Sequence, residues 1–429
     1  MIDDLTIFTS SICNLKCQYC YVKKEPSVFE YDKELIRAIE QNEYIKRFKK
    51  EFPESVNTIK TLEFWGAEPS IHLNLIAEKL KDYKEAFPNL CEITMSSNYT
   101  LPTFIDNVSK LLNAMGELKD TQWHYHLQCS IDGSKEITDN NRGNGTTDLI
   151  IENVNKLKLL DIPKNVYLTV NNKATISKEQ FNDLSDYNSC EEYYNFLKNI
   201  LEFKGVNKNF NFSAPTCVEP IYYTKEDGIK YAKIIENFVE ICKKNNCFFM
   251  PYVRNRETIL CDTMKGGFCG QCRSVMIMLP NNEYAVCHRS GLDTVDAHYK
   301  ARQAELQNEF DRELISKDNW VCNLDKYKQL QYNMETFYDT KSKTLFQQYY
   351  NMAKLLLDIG EISSEYLNDD VLRRDIKLFM QFTICMQTNK ELTGSYFCCS
   401  TYFMPLFFNG AMPKFYNFLK NKNLIVGEC

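Results

Sequence analysis

Short apolar runs alternate with longer amphipathic stretches from residue 5 to about residue 245. Runs of about four to eight apolar residues between turn residues are typical of buried strands, and longer stretches with helical periodicity are typical of amphipathic helices. The alternation predicts repeated βα units and a parallel sheet. The predicted strands are 5–10, 61–65, 92–97, 124–131, 166–170 and 209–213, and the predicted helices are 32–48, 73–86, 104–115, 148–160, 191–201 and 226–244.

The number of units limits the fold. Six βα units are too few for the common closed barrel of eight strands. We therefore predict an α/β fold, a partial and laterally open (β/α)6 barrel. Ligands of parallel sheets bind at the carboxyl ends of the strands, so we expect the functional site at that edge.

The alternation stops after residue 250, and the composition changes. Cysteines become frequent, the segment 275–287 has the pattern of a hairpin, and the chain from about residue 324 is mostly helical and rich in Tyr and Phe. We predict three regions: a barrel over 1–250, a cysteine-rich domain over 251–330 and a helical region over 331–429. No low-complexity linker separates them, so we expect the last region to pack onto the barrel.

Composition narrows the class of protein. The 429 residues carry a net charge of only -6, without the basic surface that nucleic-acid binding requires. The first residues do not resemble a signal peptide, and no stretch reaches the roughly twenty apolar residues of a membrane span. We therefore expect a cytoplasmic protein without a nucleic-acid or membrane partner. Because the cytosol keeps thiols reduced, eighteen cysteines indicate metal or cluster ligation rather than disulfides.

Three cysteines directly after the first predicted strand, Cys13, Cys17 and Cys20, have the spacing C-x3-C-x2-C. Thiolates hold iron–sulfur clusters, and a cluster of four irons normally takes four of them. Three ligands leave one iron open to a small molecule. The alternatives are a structural zinc site or three unrelated buried thiols, although zinc ligands usually come as two pairs with a long spacer.

The triplet, with Tyr19 before its last cysteine, resembles the radical S-adenosylmethionine (SAM) superfamily. The segment 64–69, Phe-Trp-Gly-Ala-Glu-Pro, is similar to the Gly-Gly-Glu-Pro motif that holds the amino group of SAM in this superfamily. The resemblance implies SAM contacts at Gly66, Ala67 and Glu68. Ala67 replaces a glycine of the motif, and Glu68 has the alternative role of a charge at a helix N-terminus.

Two further strand ends extend the resemblance. Ser97 and Asn98 stand where relatives carry residues near the SAM ribose, although any strand exit favours such residues. The run Ser130-Ile131-Asp132-Gly133, followed by Arg142, resembles radical SAM enzymes that carry a SPASM or Twitch extension. This implies that Ser130 and Arg142 bind the SAM carboxylate, and the alternative is a solvated turn with a surface ion pair.

The cysteine-rich region resembles the opening of a SPASM domain. Cys272 and Cys287 enclose the predicted hairpin. Asn282 stands where the family has a glycine, and Asn can take this place because it tolerates a left-handed conformation. With Cys269 they are the implied ligands of an auxiliary [4Fe-4S] cluster, and Cys322 or Cys261 is the fourth candidate. The alternative is a zinc knuckle. A second auxiliary cluster would draw on Cys385, Cys398 and Cys399.

The resemblance implies an enzyme whose reduced [4Fe-4S] cluster, held by Cys13, Cys17 and Cys20, splits SAM to a 5′-deoxyadenosyl radical. The radical would abstract hydrogen from a peptide or protein substrate and lead to a thioether or carbon–carbon crosslink, or to epimerisation. The electron donor would be a flavodoxin or ferredoxin. Because the chain begins close to the first strand, we expect leader-peptide recognition by a separate protein or by the C-terminal helices.

Three other functions stay open at the level of sequence. One is oxidation of a protein side chain, as in the sulfatase-maturing branch, although His288 stands where that branch has a catalytic Asp. Another is a radical SAM enzyme acting on a small molecule such as an amino acid. The third is a non-catalytic metal-binding interaction protein.

Overall fold

The structure is a computed structural model that describes residues 2–18, 20, 28–203, 205, 207–217, 225–249, 275–280, 282–285, 321–325, 327–329, 332 and 358. The strands are β1 Asp4–Ser10, β2 Thr61–Gly66, β3 Glu92–Ser97, β4 Trp123–Ser130, β5 Val166–Lys173, β6 Thr175–Ile176, β7 Lys208–Phe212, β8 Thr216–Cys217, β9 Phe248–Phe249, β10 Val275–Met278, β11 Tyr284–Ala285 and β12 Val321–Cys322. The α-helices are α1 Val28–Glu40, α2 Glu43–Glu51, α3 Leu73–Ala86, α4 Phe104–Glu117, α5 Lys135–Arg142, α6 Thr146–Leu159, α7 Lys178–Asp183, α8 Tyr187–Leu201 and α9 Lys225–Lys244. None of the described helices is long and apolar enough to cross a membrane.

Ten strands form one sheet in the order β12-β11-β10-β1-β2-β3-β4-β5-β7-β9. Neighbouring strands from β10 to β9 are parallel, whereas β10, β11 and β12 pair antiparallel with one another. In the described part of the chain the edge strands β12 and β9 do not pair, so the sheet is open. The prediction of an α/β fold with an open parallel sheet is confirmed, and its six predicted strands are β1 to β5 and β7.

One predicted helix is two helices in the structure. The apolar periodicity over 32–48 continues through a break between α1 and α2, where Asn42 has a φ of 56°. This left-handed conformation interrupts helical hydrogen bonding, and Asn adopts it more readily than most residues. Periodicity alone did not reveal the break because both helices bury apolar residues against the same core.

The two faces of the sheet differ in character. Leu62 and Phe64 of β2 belong to the same buried core as Ile76 and Leu80 of α3, and such burial stabilises the fold by about 1.5–3 kcal/mol per side chain. Alternate residues of each strand point to the opposite face. We call that opposite side the inner face. A ligand that binds at the carboxyl ends of the strands can reach this face.

The hairpin predicted over 275–287 is confirmed for its described residues, where β10 pairs with β11 and Asn282 has a φ of 60°. The sequence did not predict that β10 also pairs in parallel with β1. Arg47 of α2 holds the turn by donating from Nη1 to the carbonyl oxygen of Leu279 at 2.6 Å. Phe52 packs against the rings of Tyr284 and Tyr327. The hairpin therefore extends the barrel sheet.

Candidate functional site

Four of the sequence motifs lie at one edge of the sheet. Strands β1, β2, β3 and β4 are parallel neighbours and end at Ser10, Gly66, Ser97 and Ser130. The carboxyl ends of parallel neighbours face the same side, so the segments that follow these residues meet in space. The expected location of the site is therefore supported by the topology.

The cysteine loop, residues 11–20, directly follows β1. Cys13, Cys17 and Cys20 are partly exposed thiols rather than disulfides. The sulfur of Cys13 accepts a hydrogen bond from the backbone N–H of Leu15 at 3.3 Å and another from Asn98 Nδ2 at 3.6 Å. The loop therefore contacts the exit of β3 through its first cysteine.

Hydrogen bonds fasten the rest of the cysteine loop to its neighbours. Gln18 donates from its backbone N–H to the carbonyl oxygen of Asn141 at 2.9 Å and from Nε2 to that of Asn140 at 2.7 Å. Asn14 Nδ2 donates to Thr100 Oγ1 at 2.7 Å. These contacts place the loop between α5 and the segment after β3.

The donor set of the cysteine loop fits an iron–sulfur cluster by its chemistry, because three partly exposed thiols lie within the eight residues from Cys13 to Cys20. The described residues contain no group of three Cys, His, Asp or Glu side chains arranged to hold a single metal ion. Thiolates of an iron–sulfur cluster bind different irons, so they need not converge on one point.

Glu68 is fully buried at the start of the short 3-10 helix Pro69–His72. Its Oε1 accepts hydrogen bonds from Ser97 Oγ at 2.7 Å, Ser70 Oγ at 2.5 Å and Ser70 N at 3.2 Å, while Oε2 accepts from Asn98 N at 2.8 Å. Burial raises the pKa of Glu68, and these hydrogen bonds act in the opposite direction. The side chain thus caps the 3-10 helix and ties it to the end of β3.

Gly66 lets the backbones after β1 and β2 approach closely. A Cβ at this position would lie 2.2 Å from the carbonyl oxygen of Ser10. That same oxygen accepts a hydrogen bond from the N–H of Ala67 at 2.8 Å. The glycine therefore allows the close contact between the two motif segments.

Asn98 connects the two predicted motifs. Its backbone N–H donates to Glu68, and its side-chain Nδ2 donates to Cys13 and to Asn14 Oδ1 at 2.9 Å. Its Oδ1 accepts from the backbone N–H of Thr100 at 2.9 Å. A single residue, through its backbone N–H and its side chain, thus links the carboxylate of Glu68 to the cysteine loop.

Arg142 lies beside Asp132, the third residue of the run Ser130-Ile131-Asp132-Gly133. Arg142 Nε and Nη2 donate to the two carboxylate oxygens of Asp132 at 2.9 and 2.8 Å, and both side chains are buried. Asp132 also accepts from the backbone N–H of Thr175 at 3.0 Å. The alternative of a surface ion pair is wrong, because the pair is inside the protein. The role of Ser130 and Arg142 toward SAM stays a prediction.

Replacement of Arg142 by alanine is expected to lower the free energy of unfolding by about 3–5 kcal/mol, since it leaves the buried Asp132 uncompensated. Arg142→Lys should also destabilise, because an ammonium group lacks the planar fork. Chemical denaturation measures both. Lys156→Ala, which breaks an exposed pair with Glu152, is the control and should change little. Equal stability of all variants would contradict the structural role of the pair.

A polar patch continues the site along the inner face. Lys173, at the end of β5, pairs in register with Ser130. Its Nζ donates to Ser96 Oγ at 3.2 Å, and Ser96 Oγ donates to Gln128 Oε1 at 2.7 Å. A cation, a hydroxyl and an amide are therefore presented next to the predicted SAM site.

The candidate ligands of the auxiliary clusters cannot be placed beside this site. Only the backbone of Cys322, in β12, belongs to the described part of the chain. The other candidates lie outside the described residues: Cys261, Cys269, Cys272, Cys287, Cys385, Cys398 and Cys399. Their ligand roles stay predictions.

Sequence reasoning missed three side chains near the motifs. The buried Asp32 and the partly exposed His72 form a pair next to the cysteine loop, and Lys173 adds a cation to the inner face. Asp32 and His72 are 40 residues apart, so no local spacing indicates their contact. Lys173 carries a weak signal, since it ends a strand at the edge where ligands bind.

Comparison with known proteins agrees with this geometry. Residues 7–184 match the radical SAM superfamily. The solved structure described as native anSMEcpe with bound AdoMet has a TM-score of 0.50 and 17% sequence identity, covering 97% of this chain and 99% of that chain. A structure of native anSMEcpe with bound AdoMet and Cp18Cys peptide has a TM-score of 0.50 and 16% identity, covering 98% and 100%. No curated protein matches the sequence.

These findings define the class. Residues 7–184 match a radical SAM superfamily domain, and the open parallel sheet is consistent with a partial radical SAM barrel. Such a domain implies a [4Fe-4S] cluster and SAM (AdoMet). The likeness to anSMEcpe concerns the fold, because the sequence identity is low.

Proposed function

We propose that this chain is a radical SAM enzyme that modifies a peptide or protein substrate. The observation that carries the proposal is the link from Cys13 through Asn98 to Glu68, which joins the cluster-binding and SAM-binding motifs at the carboxyl edge of the sheet. The segment after β2 is not specific alone, but its contact with the cysteine loop in one site matches a single chemistry.

The chain's own residues would hold and orient the reactants. Cys13, Cys17 and Cys20 would bind the cluster, which when bound supplies the electron for reductive cleavage of SAM. Backbone groups at Gly66 and Ala67 would hold the amino group of SAM. Ser130 and Arg142 would bind its carboxylate, with Ser97 and Asn98 near the ribose.

The inner face supports a peptide substrate. Ser96, Gln128 and Lys173 present donors and acceptors beside the site, as a peptide backbone requires. Phe8 and Trp65, whose rings are 4.9 Å apart, lie in a buried apolar cluster of β1 and β2. The structure of similar fold with a bound peptide is consistent with this proposal.

Anaerobic reconstitution tests the radical SAM function. The purified chain is expected to bind iron and sulfide and, with dithionite or a reduced flavodoxin, to release 5′-deoxyadenosine from SAM. Zinc without sulfide, together with no release of deoxyadenosine, would refute the proposal and favour a metal-binding interaction protein.

The peptide substrate requires a separate experiment. Short peptides encoded beside the gene would be incubated with the active enzyme, and mass spectrometry would detect loss of a hydrogen pair for a crosslink or uptake of solvent deuterium for epimerisation. Conversion of free amino acids but of no peptide would instead favour a small-molecule enzyme.

Cys287→Ala is expected to reduce the iron content by roughly four atoms per chain, because this residue is a proposed ligand of an auxiliary [4Fe-4S] cluster. Cleavage of SAM should persist, since the cluster on Cys13, Cys17 and Cys20 is intact. Iron analysis and deoxyadenosine release measure the two effects. Unchanged iron in the variant would contradict the auxiliary ligand assignment.

A further inference from the structure

Asp32 in α1 joins two segments that are distant in sequence. Its Oδ1 accepts hydrogen bonds from the backbone N–H and the hydroxyl of Ser11 at 2.9 and 3.2 Å. Its Oδ2 lies 2.6 Å from Nε2 of His72. Ser11 is fully buried and Asp32 is 5% exposed, so water competes little for the hydrogen bonds between these two residues.

The two partners of Asp32 belong to the two halves of the site. Ser11 begins the cysteine loop and stands two residues before Cys13. His72 ends the 3-10 helix that Glu68 begins. The carboxylate therefore connects the start of the cluster-binding segment to the end of the SAM-binding segment, through contacts that do not involve Asn98.

The contact does more than attach α1 to the barrel. Leu35, Ala38 and Ile39 of α1 are already buried in apolar clusters, and these hold the helix against the sheet. Apolar packing is not directional, whereas hydrogen bonds to a carboxylate are short and oriented. The direction of the Ser11 N–H, and with it the start of the cysteine loop, follows from its hydrogen bond to the carboxylate rather than from the apolar packing.

We propose that Asp32 and His72 are positioning residues that keep the cysteine loop and the SAM-binding turn at one spacing. The inference rests on the proposed function, since it assumes that the loop holds the cluster and the turn holds SAM. A role in stability alone predicts that substitutions lower the unfolding midpoint and leave SAM binding unchanged. A positioning role predicts that SAM binding weakens in folded protein that has kept its cluster.

The test compares Asp32→Ala and Asp32→Asn in the reconstituted holoprotein under anaerobic conditions. Asp32→Ala is expected to keep its iron and sulfide but to bind SAM roughly tenfold more weakly, an effect typical of residues that orient cluster or metal ligands. The change that SAM causes in the electron paramagnetic resonance spectrum of the reduced cluster should also diminish. Asp32→Asn should bind SAM nearly as the wild type does, because its amide keeps an acceptor for Ser11 and a polar partner for His72.

Asn165→Ala is the matched control. Asn165 Nδ2 bonds the carbonyl oxygens of Met115, Leu118 and Thr121 and stands directly before β5, at the opposite end of the sheet. Loss of this anchor should lower stability without changing SAM affinity or the spectrum. Equal weakening of SAM binding in the control and in Asp32→Ala would overturn the inference.

Other outcomes are equally decisive. If Asp32→Ala fails to fold, His72→Ala replaces it, since it removes one contact and leaves Ser11 bonded to Asp32. Wild-type SAM affinity and spectrum in the folded variant would overturn the positioning role. A wild-type chain that binds neither iron nor SAM would refute the proposed function itself, so the two failures are distinguishable.

Discussion

Substitution of Cys13, Cys17 or Cys20 by alanine is expected to abolish the release of 5′-deoxyadenosine from SAM. Each thiol is a proposed ligand of a different iron, and a cluster with two protein ligands is not held firmly. The three side chains are partly exposed, so their loss should change the unfolding midpoint little. Anaerobic turnover with dithionite, together with iron and sulfide analysis, measures the effect.

Cys91→Ala is the matched control for the three cysteines. Cys91 is also a partly buried thiol, but it precedes β3 at the opposite end of the sheet. The control should keep its iron and its activity. Cleavage of SAM that survives all three loop substitutions would refute the proposed cluster site.

Gly66→Ala should have the second largest effect, namely loss of SAM binding with destabilisation of the fold. The added Cβ would lie 2.2 Å from the carbonyl oxygen of Ser10 and 2.9 Å from the backbone nitrogen of the same residue. Backbone atoms cannot move aside as a flexible side chain can. Overpacking typically costs about 1–3 kcal/mol and is relieved by shifts of the backbone. Here the shift would separate the turn after β2 from the cysteine loop.

Gly145→Ala is the control that separates the effect of a steric clash from the effect of backbone strain. Gly145 has a φ of 81°, which disfavours alanine by about 1–2 kcal/mol, yet a Cβ there meets no atom within 4 Å. Chemical denaturation should show destabilisation of both variants, while equilibrium dialysis should show weak SAM binding only for Gly66→Ala. Normal SAM affinity in Gly66→Ala would contradict the close-approach argument.

The periodic parts of the fold were predictable because they depend on near neighbours in sequence. Strand periodicity located β1 to β5 and β7 within a few residues, and their alternation with helices implied a parallel sheet. The turn chemistry of the hairpin was also local. Asn282 adopts the left-handed conformation that its residue type allows.

Pairings between distant segments were not predictable. Nothing near β10 indicates that it pairs with β1, because a short apolar strand has many possible partners. The break at Asn42 was hidden because the apolar pattern passes through it. In the sequence, Arg142 and Asp132 are two separate motif residues. Only the packed structure shows that they form a buried ion pair in which each charge is compensated by the other.

The sequence by itself determined the class of chemistry, because the spacing of Cys13, Cys17 and Cys20 and the composition of the strand ends are local properties. Tertiary structure decided how those motifs work together. Asn98 on one side and Asp32 on the other connect the cysteine loop to the turn after β2. Such hydrogen bonds join residues far apart in the chain, so they exist only once the sheet has brought the strand ends to one edge.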